Sequence, residues 1–316
     1  MWPRGDTSAG RETTPFSSGP VVTEDAPASR PSRRPTLVVG AGFLGARVAA
    51  RQAADAAHPV LATTRSGHWS GPSDPPPGVT LQRLNIIEDS DDVIQRTVSE
   101  VGAAVICVAT GGHQDREQLY IAGARRVVAS LNGNECRRVV YVSSTSALAD
   151  RDGPVDELAT AWPTSARGRV QREAEQAVQQ AAQAHGIPCL VLRLGGLYGP
   201  GRGIGRIYRQ RRPDAMPGDG WQATNLIHVE DAATAVLAAL AAPSEVEGIV
   251  HVCDDDHRPR RALYERAALC RGRPPPRWEQ PQPVNQAPRG KIVENNKLKR
   301  LLGVQLAFPC HVVELD

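Results

Sequence analysis

The sequence predicts an α/β protein with a doubly wound parallel sheet, and two observations carry that expectation. From residue 36 onward, short apolar runs alternate with helix-patterned segments, the order that builds a parallel sheet with right-handed crossovers. The runs at 103–108 and 189–192 are nearly all apolar, as strands are when helices cover both faces of the sheet.

Taken in order, "TLVVG" (36–40) reads as the first strand, 43–56 as an Ala-rich helix and "PVLATT" (59–64) as the second strand. "GHWSGPSDPPPG" (67–78) must be a loop, because three consecutive prolines fit neither a helix nor a central strand. Strands follow at 79–85, 103–110, 137–144 and 187–194, separated by helices near 89–101, 116–132 and 165–185. The last of these helices opens with Pro163, Thr164 and Ser165, which suit a helix start. Its Val170, Ala174, Ala177, Val178 and Ala181 recur at helical spacing and predict one buried stripe. Beyond 195 the chain is rich in Gly, Pro and Arg, with a helix at 230–241, a strand at 248–253 and helices near 259–271 and 294–302. The expected organisation is a tail over 1–35, a nucleotide-binding core over 36–194 and a small substrate lobe over 195–316, interleaved with the last core elements.

The 316 residues suffice for a large core. A net charge of +3 is too small to argue for nucleic acid or an anionic membrane as partner. Six cysteines without a CxxC pair read as reduced thiols, with neither a disulfide framework nor a metal site. No apolar run approaches the roughly 20 residues of a membrane span. Residues 1–35 are Pro/Ser/Thr/Gly-rich and lack an apolar signal core, so a disordered tail and a cytoplasmic protein are expected. The tail leaves an organelle such as a plastid open.

"LVVGAGFLGARVAA" spaces Gly40, Gly42 and Gly45 as GxGxxG between the first strand and first helix. That context makes a dinucleotide site: a tight turn, close backbone approach to a pyrophosphate, and a helix N-terminus facing it. The second strand ends "ATTRS", where an Asp or Glu would accept from the ribose 2′-hydroxyl of NAD. Arg65 stands there instead and suits the 2′-phosphate of NADP. The run Arg202, Arg206, Arg209, Arg211 and Arg212 offers a clamp for an anionic small-molecule substrate.

With GAGFLG, "RVVYVSST", "VDE" (155–157), "LRLGGLYGPGR" (192–202), "NLIHVEDAA" (225–233) and "NNKLKRLLG" in place, the chain resembles the extended and atypical short-chain dehydrogenase/reductases. These form the NAD-dependent epimerase/dehydratase group, a Rossmann-fold family. The resemblance implies a catalytic set of Ser or Thr, Tyr, and Lys four residues later, whose positions fall on Thr145, Ser165 and Arg169. An aliphatic hydroxyl is a far weaker acid than a phenol, and Arg is not equivalent to Lys. By their positions in the resemblance Tyr120 and Tyr198 are alternative proton donors, and His228, which titrates in the right range, is a third. Phe43 and Leu44 in the glycine loop, Asn85, Ala109, Thr110 and Gly196 complete the implied cofactor set. A homodimer is also expected. The function expected is an NADP(H)-dependent oxidoreductase or epimerase-like enzyme acting on a small polar or anionic molecule. The alternative is an NADP-binding sensor or assembly factor without catalysis.

Overall fold

The computed structural model describes residues 34–54, 58–71, 73–110, 115–204, 215–280 and 287–311. The first half carries β1 (Thr36–Val39), α1 (Gly45–Ala53), β2 (Val60–Thr64), β3 (Val79–Arg83), α2 (Asp91–Val98), β4 (Ala103–Ile106), a π-helical stretch (Gln118–Gly123) running into α3 (Ala124–Ala129), and β5 (Val139–Ser144). Next come β6 (Gly153–Val155), α4 (Ala166–Ala184), β7 (Cys189–Leu194), β8 (Gly196–Tyr198) and β9 (Leu226–His228). The chain then runs through α5 (Val229–Ala241), β10 (Gly248–Val252), α6 (Arg260–Cys270), β11 (Lys291–Val293) and α7 (Asn296–Leu302).

The main sheet has seven strands in the order β10-β7-β5-β4-β1-β2-β3, and every pairing in it is parallel. It is the doubly wound Rossmann-type sheet. Alternation along β1 divides the core: Val38 packs with Val48 of α1 and Val236 of α5 on one face. Leu37 and Val39 pack with Ile94 of α2, Val127 of α3 and Val178 of α4 on the other. Strand β10, far along the chain, pairs with β7 at the sheet edge, Gly248 opposite Leu190. The loop before it is held by the buried Arg138, whose guanidinium donates to the carbonyls of Ala242 and Val246.

Two small parallel sheets, β11 with β6 and β8 with β9, lie outside the main one. Three-residue strands at Gly- and Pro-rich positions carry no alternation to read, so the sequence pattern does not announce them. The helix expected over 116–132 contains the π-helical segment at its start, a form often associated with functional positions. Among the described residues no helix is long and apolar enough to cross a membrane. Among the described residues no cysteine is in a disulfide: Cys136, Cys189 and Cys253 are buried, Cys107 half-buried, Cys270 and Cys310 exposed.

Candidate functional site

The C-terminal ends of β1, β4, β5 and β7 open into a cavity of about 690 Å³. One end is the glycine loop. Gly40 has φ +92°, and a Cβ there would stand 2.5 Å from the Cys107 carbonyl oxygen. At Gly45 a Cβ would lie 2.2 Å from the Gly40 oxygen, so α1 can start this close to β1 only on a glycine. Gly42 differs: its Cβ would meet nothing within 4 Å, so the missing side chain leaves open space beside the loop. No side chain caps α1, so the helix start just behind the glycine loop carries no competing hydroxyl or carboxylate. Two guanidiniums stand over the loop's Phe43 ring, Arg47 at 4.6 Å and Arg202 at 5.5 Å from its centroid.

Thr64, Arg65 and Ser70 continue the wall past β2. Arg65 is exposed and has no hydrogen-bond or ion-pair partner among the described residues. The Thr63 hydroxyl, two residues before it, is buried without a partner among the described residues. Cys107, Val108 and Ala109 form the floor; burial pushes the Cys107 thiol up to about 12, so it is an inert thiol.

The opposite end is built by Tyr120, Ser143 to Ser146, Arg167, Gln171 and Gly195 to Leu197. Tyr120 reaches it from the π-helical segment, and its hydroxyl accepts from the Thr110 amide at 3.3 Å. The phenolic proton is thereby left for another acceptor. Beneath this end lies a buried polar chain. Gln171 Nε2 donates to Tyr141 Oη at 3.3 Å and to Ser143 Oγ at 3.1 Å. Ser143 donates to Glu175 Oε1 at 2.5 Å, and Arg193 holds both oxygens of that carboxylate. Burial pushes the Glu175 carboxyl up to about 7, against Ser143 and Arg172, which pull it down. The two-point contact with Arg193 also favours the charged form. Ser143 is thus locked by its neighbours, whereas the Thr145 hydroxyl has no partner among the described residues. The Ser146 hydroxyl is buried and has no partner among the described residues.

The expected site residues fall into two groups. Gly40, Gly42, Phe43, Leu44, Arg65, Ala109, Tyr120, Thr145 and Gly196 line the cavity. Gly45 sits behind the loop, and Thr110 meets Tyr120 through its amide. Asn85 is turned to its own loop: Oδ1 accepts from the Ile87 and Glu88 amides and Nδ2 donates to Glu88. Tyr198 is 2% exposed and packs edge-on against His228, 5.3 Å between centroids, behind the cavity wall. Ser165 and Arg169 also stand outside. Ser165 is the N-cap of α4, its hydroxyl accepting from the Gly168 amide at 3.1 Å, and Arg169 donates to the Thr164 carbonyl. The helix residues that do line the cavity are Arg167 and Gln171, the same four-residue spacing moved on by two. Gly168 explains why that face is so near, since a Cβ there would lie 2.6 Å from the Ser146 oxygen. Of the arginine run in 202–212, Arg202 lines the cavity; Arg206, Arg209, Arg211 and Arg212 lie outside the described residues.

Two lining residues had no local signal. Lys291 arrives from β11, paired with β6, and Arg116 from just before the π-helical segment.

The chain is similar to protein YeeZ of Escherichia coli K12, 27% identical over 86% of this chain and 95% of that protein. It is similar to 2'-dehydrokanamycin reductase of Streptomyces kanamyceticus, 30% identical over 75% of this chain and 64% of that protein. In fold it matches UDP-glucuronic acid 4-epimerase from Bacillus cereus in complex with NAD, with a TM-score of 0.71 at 16% identity over 89% of this chain and 95% of that one. The model of the NAD dependent epimerase/dehydratase family matches residues 36–253, and the chain belongs to that family.

Proposed function

We propose that the chain is an NADP(H)-dependent oxidoreductase or epimerase-like enzyme acting on a small polar or anionic molecule. The observation that carries this reading is one continuous cavity that joins the glycine loop to Tyr120 and Thr145. The residues fit a dinucleotide. Gly40 to Leu44 line the cavity, the space beside Gly42 is open, and no side chain caps α1 just beyond the loop. Arg65 has no partner among the described residues, at the end of the second strand, where a 2′-phosphate would lie. That a relative is a reductase supports an enzyme over a sensor.

When bound, a nicotinamide dinucleotide supplies a hydride donor or acceptor. The chain's own residues do the rest. The glycine-loop amides and the α1 dipole hold the pyrophosphate. Thr145, with its hydroxyl open, orients a substrate oxygen. Tyr120 carries the proton to or from that oxygen, since its hydroxyl already accepts from Thr110 and keeps its own hydrogen for a ligand. Gln171 and Ser143, tied to Glu175, keep that end of the wall rigid.

NADPH turnover against a panel of small ketones and nucleotide sugars, compared with Tyr120→Phe under single-turnover conditions, tests the assignment. The Phe variant should lose about 10²- to 10⁴-fold. A Tyr120→Phe protein at full rate would remove the tyrosine from the chemistry.

A further inference from the structure

The cavity wall is electrostatically one-sided. Arg65, Arg116, Arg167, Arg202 and Lys291 line it, and among the described residues no Asp or Glu does. Arg65 adjoins the glycine-loop end, beside Thr64 and Ser70. Arg167 and Lys291 belong to the far end, each held there by a specific device. Gly168 lets the first turn of α4 press against Ser146, which brings Arg167 to the wall. The pairing of β11 with β6 sets Lys291 opposite Gly153. Its ammonium donates to the Leu148 carbonyl at 3.1 Å and to Asp150 at 3.2 Å, which leaves one of three N–H groups unspent. The Arg167 guanidinium has no hydrogen-bond or ion-pair partner among the described residues.

A guanidinium stays charged at every working pH and moves no proton. Arg167 therefore contributes to this cavity as a forked donor and a fixed charge. Lys291 is ion-paired with the exposed Asp150 and Arg167 is exposed, so what this end offers an oxyanion is the unspent guanidinium fork and the remaining ammonium N–H.

We propose that Arg167 and Lys291 form the binding site for an oxyanion, a carboxylate or a phosphate, carried by the ligand that shares the cavity with the cofactor. This rests on the reading of the cavity as a cofactor-and-substrate site. Arg167 takes two oxygens through its fork, and Lys291 donates its remaining N–H.

The test is calorimetric titration of the NADPH-saturated full chain, at low salt, with oxalate and separately with inorganic phosphate. Wild type, Arg167→Gln, Lys291→Gln and Lys291→Arg are compared. Wild type should bind at least one anion, and the one preferred tells carboxylate from phosphate. Each Gln variant should weaken that binding about tenfold or more, Lys291→Arg should keep most of it, and NADPH affinity should stay within about twofold of wild type. That last margin is far below the loss of a phosphate contact. Lys291→Arg also guards against misfolding, because it keeps the charge at a partly buried position. The proposal is overturned if neither anion binds, if the Gln variants bind as well as wild type, or if they lose NADPH in the same proportion. Failure of wild type to bind NADPH at all would overturn the proposed function instead. The same anion titrations on the protein alone then decide the Arg167–Lys291 site.

Discussion

Arg193 holds both carboxylate oxygens of Glu175, Nε at 2.9 Å and Nη2 at 2.7 Å, with neither side chain more than 1% exposed. The pair ties β7 to α4 and, through Ser143, fixes the wall beneath the cavity. A buried pair of this kind is weak evidence for net stability, but breaking it leaves an uncompensated charge. Glu175→Gln should therefore destabilise the protein by about 3–5 kcal/mol, read as a lowered urea midpoint. The double change Glu175→Leu with Arg193→Met should recover most of that loss. A single Gln variant as stable as wild type would show that the pair is dispensable.

The glycine loop gives a contrasting pair. Gly42→Ala adds a methyl group to open space, and Gly42 is not among the positive-φ glycines, so the melting temperature should barely move. Dinucleotide affinity should fall, because the methyl occupies the space that the pyrophosphate needs. Gly45→Ala puts the methyl 2.2 Å from the Gly40 oxygen and should cost about 1–3 kcal/mol of stability, the range for overpacking. Thermal melts and cofactor titrations on both proteins separate the two effects. Equal melting losses would contradict the distinction.

The buried histidines contribute stability that is lost on mild acidification. His251 is fully buried, and burial pulls its pKa down to about 4, with Glu294 and Asp156 opposing and Lys297 assisting. Burial also lowers His228. A histidine with a depressed folded pKa contributes stability that is fully present above its unfolded value near 6.5 and lost as pH falls towards 4. The contribution of His251 is about 3 kcal/mol at most, from 1.36 kcal/mol per pKa unit. Urea unfolding between pH 7.5 and 4.5 should show the decline, and His251→Gln should flatten it. An unchanged slope in that variant would locate the titrating groups elsewhere.

Much of the fold was legible in the sequence because it is written locally. The run at 36–39 and the glycines after it need only neighbouring residues to declare a strand, a turn and a helix. The site was less legible because its parts come from distant elements. The family resemblance put the Tyr and Lys positions on Ser165 and Arg169, but matching motif positions does not set the rotation of a helix about its axis. The cap signal in "PTS" carried the missing information: a residue whose hydroxyl serves the Gly168 amide is committed to the helix start, and the cavity-lining positions lie beyond it. Tyr198 sits on the short β8–β9 pairing, which turns it into a buried aromatic cluster. Lys291 reaches the cavity through the β11–β6 pairing, and no window around 291 contains that fact.

The central claim, a nicotinamide dinucleotide bound with NADP preference, is tested most directly by fluorescence titration of NADPH and NADH against wild type and Arg65→Ala. Arg65 lines the cavity at the end of β2 and has no protein partner among the described residues. A charge-assisted hydrogen bond to phosphate contributes roughly 1.5–3 kcal/mol, on the order of ten- to a hundredfold in affinity. Wild type should bind NADPH more tightly than NADH, and the margin should shrink as salt rises. Arg65→Ala should lose NADPH affinity by about that factor and leave NADH nearly unchanged. Equal wild-type affinities, or a variant that loses both cofactors alike, would contradict the account.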